Sequence, residues 1–128
     1  MRYVSGKISI ARRDRLYTAY VPSLYVSATV MSRSAKARAI VDPGLKALAF
    51  DPGLPLVCNE PTATYERASD EHGRLGISGA TNRLGLGDKL RLIPGHCDPT
   101  VNLYDWYVCI RNNRVEQIWP ITAWGAVY

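Results

Sequence analysis

Asp-Pro-Gly occurs twice in quick succession, at Asp42-Pro43-Gly44 and Asp51-Pro52-Gly53, and Pro94-Gly95, Gly85-Leu86-Gly87-Asp88 and Asn112-Asn113 punctuate the rest of the chain. Turns this dense cut the sequence into runs too short for long helices, and no sustained 3.6-residue periodicity survives between them. What remains alternates. Leu24, Val26, Ala28 and Val30 interleave with Tyr25, Ser27, Thr29 and Met31, the period of two of a half-buried strand over residues 24–31. Ala39-Ile40-Val41 reads as a second strand, Tyr65 to Ser69 and Leu75 to Ile77 as a hairpin about Asp70-Glu71-His72-Gly73, and Lys89 to Ile93 as a further strand. Val101 to Ile110 is rich in β-branched and aromatic residues and predicts a strand, paired through Asn112-Asn113 with Val115 to Ile118. The fold class expected is all-β, a small antiparallel barrel or sandwich.

The 128 residues, 47% of them apolar, are enough for one domain with its own core. Charge is uneven: residues 1–46 hold nine Lys or Arg against two acids, and residues 47–128 seven against nine. A basic first third suits an anionic partner or a solvated face. Arg12, Arg13 and Arg15 are the only dense cluster and lack aromatic interleaving, so a nucleic-acid partner is not favoured. Cys58, Cys97 and Cys109 are odd in number and show no Cys-x-x-Cys spacing, which argues against a disulfide framework or a thiolate zinc site and fits a reducing compartment. No apolar run approaches the length of a membrane span, and Met1 to Lys7 has no signal-peptide core. A soluble, cytoplasmic protein without a membrane partner is expected.

The chemistry-bearing segment is Pro94-Gly95-His96-Cys97-Asp98-Pro99-Thr100. His96 offers an imidazole nitrogen and Asp98 a hard oxygen, a pair suited to a divalent ion with open coordination positions. Pro99 disfavours helical geometry at Asp98; in an extended segment His96 and Asp98 project to one face and Cys97 to the other. The alternative is a surface-turn histidine beside an aspartate that bonds a nearby amide. His72, flanked by Asp70 and Glu71, is a third ligand or proton shuttle on one reading and a local turn residue on the other, and is not assigned as a ligand. Cys97 beside His96 makes no nucleophile pair if the two face opposite sides, and Cys58 and Cys109 lie in apolar contexts typical of buried thiols. No nucleophile-elbow serine and no phosphate-binding glycine loop is present. Trp106, Trp119 and Trp124 read as core and rim residues.

Three blocks in order, Ile40 to Pro55, Asp70-Glu71-His72-Gly73, and Pro94 to Asp105, resemble the carboxy-terminal domain of the D-threonine aldolase and D-serine dehydratase family of pyridoxal-phosphate enzymes, with likeness from about Leu24 to Trp124. The resemblance implies a β domain like that of alanine-racemase-type enzymes, which follows a (β/α) barrel bearing the cofactor lysine and supplies metal ligands. Carried to this chain, those ligands are His96 and Asp98, and the ion is Mn or Zn, with Mg a further option. His-x-Asp resembles the aldolases and His-x-Cys the dehydratases, which tilts the reading to an aldolase, with a D-serine dehydratase domain as the alternative. Lys46 is not the cofactor lysine, which the resemblance places in the barrel; its expected role is structural, paired with Asp42 or Asp51. A (β/α) barrel takes about 250 residues, so pyridoxal phosphate would bind only with a barrel this chain lacks, and the chain alone is expected to be inactive.

Residues 1–20 match the family least and read as an arm or interdomain crossover, ahead of the metal-binding β domain of residues 21–128. A domain cut from its barrel predicts an exposed apolar patch, with self-association into a homo-oligomer or docking to a barrel chain. Two other functions compete: a non-catalytic β-barrel interaction module and a small basic nucleic-acid module.

Overall fold

A computed structural model describes residues 2–4, 22–51, 53–79 and 84–122. In them the chain forms nine strands and one short helix: β1 (Arg2–Val4), β2 (Leu24–Ala35), β3 (Arg38–Val41), β4 (Leu56–Val57), β5 (Ala63–Ala68), β6 (Gly73–Ile77), β7 (Lys89–Ile93), α1 (Cys97–Val101), β8 (Trp106–Arg111) and β9 (Arg114–Pro120). Arg12, Arg13, Arg15 and Trp124 lie outside the described residues.

The long strand β2 organises the sheet by changing partners along its length. Leu24 and Tyr25 pair with β1, Val26 to Thr29 with β7, and Val30 to Ala35 with β3, across two register shifts. β3 pairs with β6, β6 with β5, and β7 with β4. β4 also packs beside β5, so the antiparallel ring β5-β6-β3-β2-β7-β4 nearly closes into a barrel. Near-closure removes most of the unpaired strand edge that an open sheet would expose. β1, β8 and β9 extend from β2 as a flange, with β1 parallel to β8.

The period-two pattern fills the barrel. Val26, Ala28 and Val30 from β2, Ala39 and Val41 from β3, Ala63 and Tyr65 from β5, Leu75 and Ile77 from β6, and Leu90 and Leu92 from β7 form one buried cluster with Leu48 and Leu84. Alanines interleave with Leu75, Leu92 and Tyr65, as a narrow interior requires. Each fully buried leucine stabilises by about 2 kcal/mol relative to exposure.

The expected strands are present, with two corrections. β2 runs on past Met31 to Ala35. The strand expected over Val101 to Ile110 begins only at Trp106, because residues 97–103 form α1 and a following turn. The β8–β9 turn is as expected: Asn112 (φ 49°) and Asn113 (φ 60°) both take the left-handed conformation of a two-residue hairpin turn.

The flange leaves apolar surface uncovered. Trp106, Val115, Ile118 and Trp119 are each about half exposed, and the Val108↔Ile118 and Trp106↔Pro120 pairs put Trp106 and Ile118 on one face. No helix among the described residues is long and apolar enough to cross a membrane.

Candidate metal centre

The three sequence blocks meet through backbone contacts of the loop that carries both Asp-Pro-Gly turns. At its start, the Asp42 carboxylate accepts from Thr29 N–H (2.7 Å) while Asp42 N–H donates to Thr29 O (3.1 Å). Gly44 then runs against the β5–β6 turn so closely that a Cβ there would lie 2.3 Å from Ser69 O and 2.5 Å from His72 N. Leu45 and Lys46 donate their N–H groups to Ser69 O (2.9 Å) and Asp70 O (3.0 Å). The Lys46 ammonium meets Glu71 at the surface, not Asp42 or Asp51 as the sequence led us to expect. Tyr65, buried beneath, donates its hydroxyl to Pro43 O (2.8 Å), and burial pushes its pKa up to about 12.

Farther along, the same loop holds the segment bearing His96 and Asp98. Thr100, fully buried, accepts from Ala49 N–H (3.1 Å) and donates its hydroxyl to His96 O (2.6 Å). Tyr104 donates to Ala47 O (2.8 Å); burial, then the Asp42 charge, push its pKa up to about 12. Gly95 packs on Gly53, where a Cβ would fall 2.1 Å from Gly53 O.

These anchors decide the local conformation. His96 is extended (φ −136°, ψ 121°), but the chain then turns into α1, so Asp98 is helical and the extended His96-Cys97-Asp98 segment expected from the sequence is not formed. The preference of a pre-proline residue for extended backbone yields here to tertiary bonds through Thr100. Pro99 costs the helix nothing, because N–H groups in a first turn have no intrahelical acceptor to lose.

His96 and Asp98 therefore sit at the start of one helical turn, both exposed. His96 does not cap the helix, and neither side chain makes a hydrogen bond or ion pair among the described residues. An imidazole nitrogen and a carboxylate with no other claim on them suit a divalent ion. Partial burial, then the Asp98 charge, push the Cys97 thiol up, which disfavours its thiolate. His72 lines a separate hollow with Ile40, Arg67, Ser69, Gly73 and Arg74. Among the described residues, no three His, Cys, Asp or Glu side chains converge as a ready-made ligand set. The site is an open pair. Sequence reasoning missed Thr100 and Tyr104, whose bonds to Ala49 and Ala47, respectively, leave no mark in spacing or pattern.

A nearly closed small β-barrel with a histidine and an aspartate presented beside it defines a domain class, and comparison with known proteins gives the family. Residues 23–110 match the serine dehydratase domain family, to which this chain belongs. It is 46% identical over 106 residues to a 3-hydroxy-D-aspartate aldolase of Paracoccus denitrificans, covering 83% of this chain and 27% of that protein. It is 45% identical over 107 residues to a D-threonine aldolase of Arthrobacter sp, covering 84% of this chain and 28% of that one. The solved D-threonine aldolase of Filomicrobium marinum superposes with a TM-score of 0.78 at 41% identity, over 83% of this chain and 29% of that chain. A D-threo-3-hydroxyaspartate dehydratase, solved as a cysteine-to-alanine variant in a metal-free form, gives a TM-score of 0.66 at 29% identity, over 77% of this chain and 31% of that chain. The chain thus spans little more than a quarter of the curated relatives it matches.

Proposed function

We propose that this chain is the metal-bearing β domain of a D-threonine-aldolase-type lyase, with His96 and Asp98 as its metal ligands. The observation that carries this reading is the pair itself: two exposed donors, without hydrogen-bond or ion-pair partners among the described residues, on a turn anchored through Thr100. In D-threo-3-hydroxyaspartate dehydratase a histidine and a cysteine two positions apart have been substituted, and the cysteine variant was solved metal-free; His96 and Asp98 share that spacing. Asp98 in place of cysteine, together with higher identity to the aldolases, favours carbon–carbon cleavage of a D-β-hydroxy amino acid over dehydration.

In this reading a bound divalent ion supplies Lewis acidity toward a substrate hydroxyl. His96 would contribute nitrogen and Asp98 oxygen, leaving remaining positions to substrate or water. Thr100 holds the His96 backbone in place. A (β/α) barrel with the pyridoxal-phosphate lysine would complete the site, and the apolar flange face is the surface we assign to association with it or with a second copy. We assign residues 21–128 to the metal domain, in keeping with the start of the family match at residue 23, and of the preceding arm Arg2–Val4 joins the domain's sheet between β2 and β8.

The test is titration of the chain with Mn²⁺ followed by NMR line broadening, which detects weak binding. Broadening confined to residues around 95–100, and lost in both His96→Ala and Asp98→Ala, is expected. Equal broadening in both variants, or none near this segment, would refute the assignment.

A further inference from the structure

The observations carry one site away from the metal pair. Between β7 and the tip of the β8–β9 hairpin lies a hollow of about 340 Å³, lined by Asn59, Lys89, Leu90, Arg91, Ile110 and the Asn112-Asn113 turn. That volume is at the lower end of small-ligand pockets. Ile110 is buried and lines the hollow, and Leu90, whose side chain belongs to the barrel core, borders it from the strand between Lys89 and Arg91. The polar lining is one-sided in charge: Lys89 and Arg91 are cationic, and no carboxylate lines the hollow among the described residues.

Both cations are held in position by neutral groups. Lys89 donates its ammonium to Thr29 Oγ1 (2.7 Å), and the Arg91 guanidinium lies 5.5 Å from the centre of the Tyr25 ring. Neither forms an ion pair among the described residues. The adjacent Asp88 is engaged elsewhere, accepting from Gly85 N–H (2.8 Å). Asn59 fixes the strand beneath, donating to Lys89 O (3.3 Å) and accepting from Arg91 N–H (2.8 Å). At the opposite rim Asn112 and Asn113, both with left-handed backbone, line the hollow, and neither side-chain amide is hydrogen-bonded among the described residues.

We infer that this hollow is a binding site for a small oxyanion, a phosphate ester or a carboxylate. An ammonium, a guanidinium and two amides are all hydrogen-bond donors to such a group. A cation over an aromatic face keeps its N–H edge free to donate.

The experiment is ¹H–¹⁵N NMR titration of the 128-residue chain with inorganic phosphate and, separately, succinate, against chloride at matched ionic strength. Saturable shifts of the Lys89, Arg91, Asn112 and Asn113 amides are expected, with a dissociation constant on the order of 1 mM. Tighter phosphate binding identifies a phosphate ligand, and tighter succinate binding a carboxylate. Lys89→Gln and Arg91→Gln should each weaken binding about tenfold. Asn113→Gly, which suits the left-handed backbone while removing one donor, should weaken it less and keeps the test valid if Arg91→Gln unfolds. No saturable shift with either anion, the same shifts with chloride, or undiminished binding in Lys89→Gln and Asn113→Gly would overturn the assignment.

Discussion

Thr100→Val tests the link between the barrel and the metal pair. Valine keeps the shape of threonine but removes an oxygen that serves both as acceptor for Ala49 N–H (3.1 Å) and as donor to His96 O (2.6 Å) at a fully buried position. Ala49 is only partly accessible, so its N–H loses its partner at a cost of about 1–3 kcal/mol. His96 is exposed and water can reach its carbonyl, so its share is smaller, and the sum is about 2 kcal/mol. For a domain of this size that lowers the melting temperature by about 7 °C. Thr100→Ser retains both bonds and loses one buried methyl, at about 1 kcal/mol. The assay is urea and thermal unfolding of the three proteins, with Mn²⁺-induced broadening at residues 95–100 measured on each. Serine should keep the broadening pattern, and valine should weaken or spread it as the His96 backbone is released. Valine within about 0.5 kcal/mol of the parent, or serine as damaging as valine, would refute the claim that the hydroxyl secures this turn.

Gly44→Ala should cost about 3 kcal/mol or more, because its Cβ would meet backbone atoms of Ser69, Glu71 and His72 at 2.3–2.7 Å and neither chain segment can yield cheaply. A urea midpoint unchanged from the parent would contradict the close approach, whereas Gly53→Ala, whose Cβ meets nothing within 4 Å, should be neutral. Alkaline stability follows from Tyr25, Tyr65 and Tyr104, each pushed by burial from 10.0 to about 12. Because the folded values lie above the unfolded one, their contribution is complete below pH 10 and is lost as pH rises from 10 toward 12. Tyrosinate absorbance should therefore rise in two stages, the later one coinciding with unfolding by circular dichroism. A single transition near pH 10 with the fold intact would count against burial of these hydroxyls.

The barrel was legible because its signals are local and repeated. Alternation along β2, β6 and β7 names the inward residues, and Asn112-Asn113 names the hairpin turn, since both depend on geometry the sequence carries within a few residues. The turn at His96 was not legible for the opposite reason. Pro99 argues for extended backbone at Asp98, and only Thr100, buried by contact with Ala49 in a loop some fifty positions earlier, reverses that preference. The Lys46 partner was misjudged in the same way: Asp42 is taken by the Thr29 amide and Glu71 is brought in by the packing of Gly44 on the β5–β6 turn. In each case the deciding bond joins segments distant in sequence through a backbone amide or carbonyl, which every residue possesses. Residue identity therefore cannot announce it. The candidate donors could nevertheless be named from the sequence, because the chain has only two histidines and His96 and Asp98 stand two apart whatever the backbone does between them. Type and spacing identify the candidate donors, while the direction in which they point is fixed by contacts such as Thr100 to Ala49 and Gly95 to Gly53.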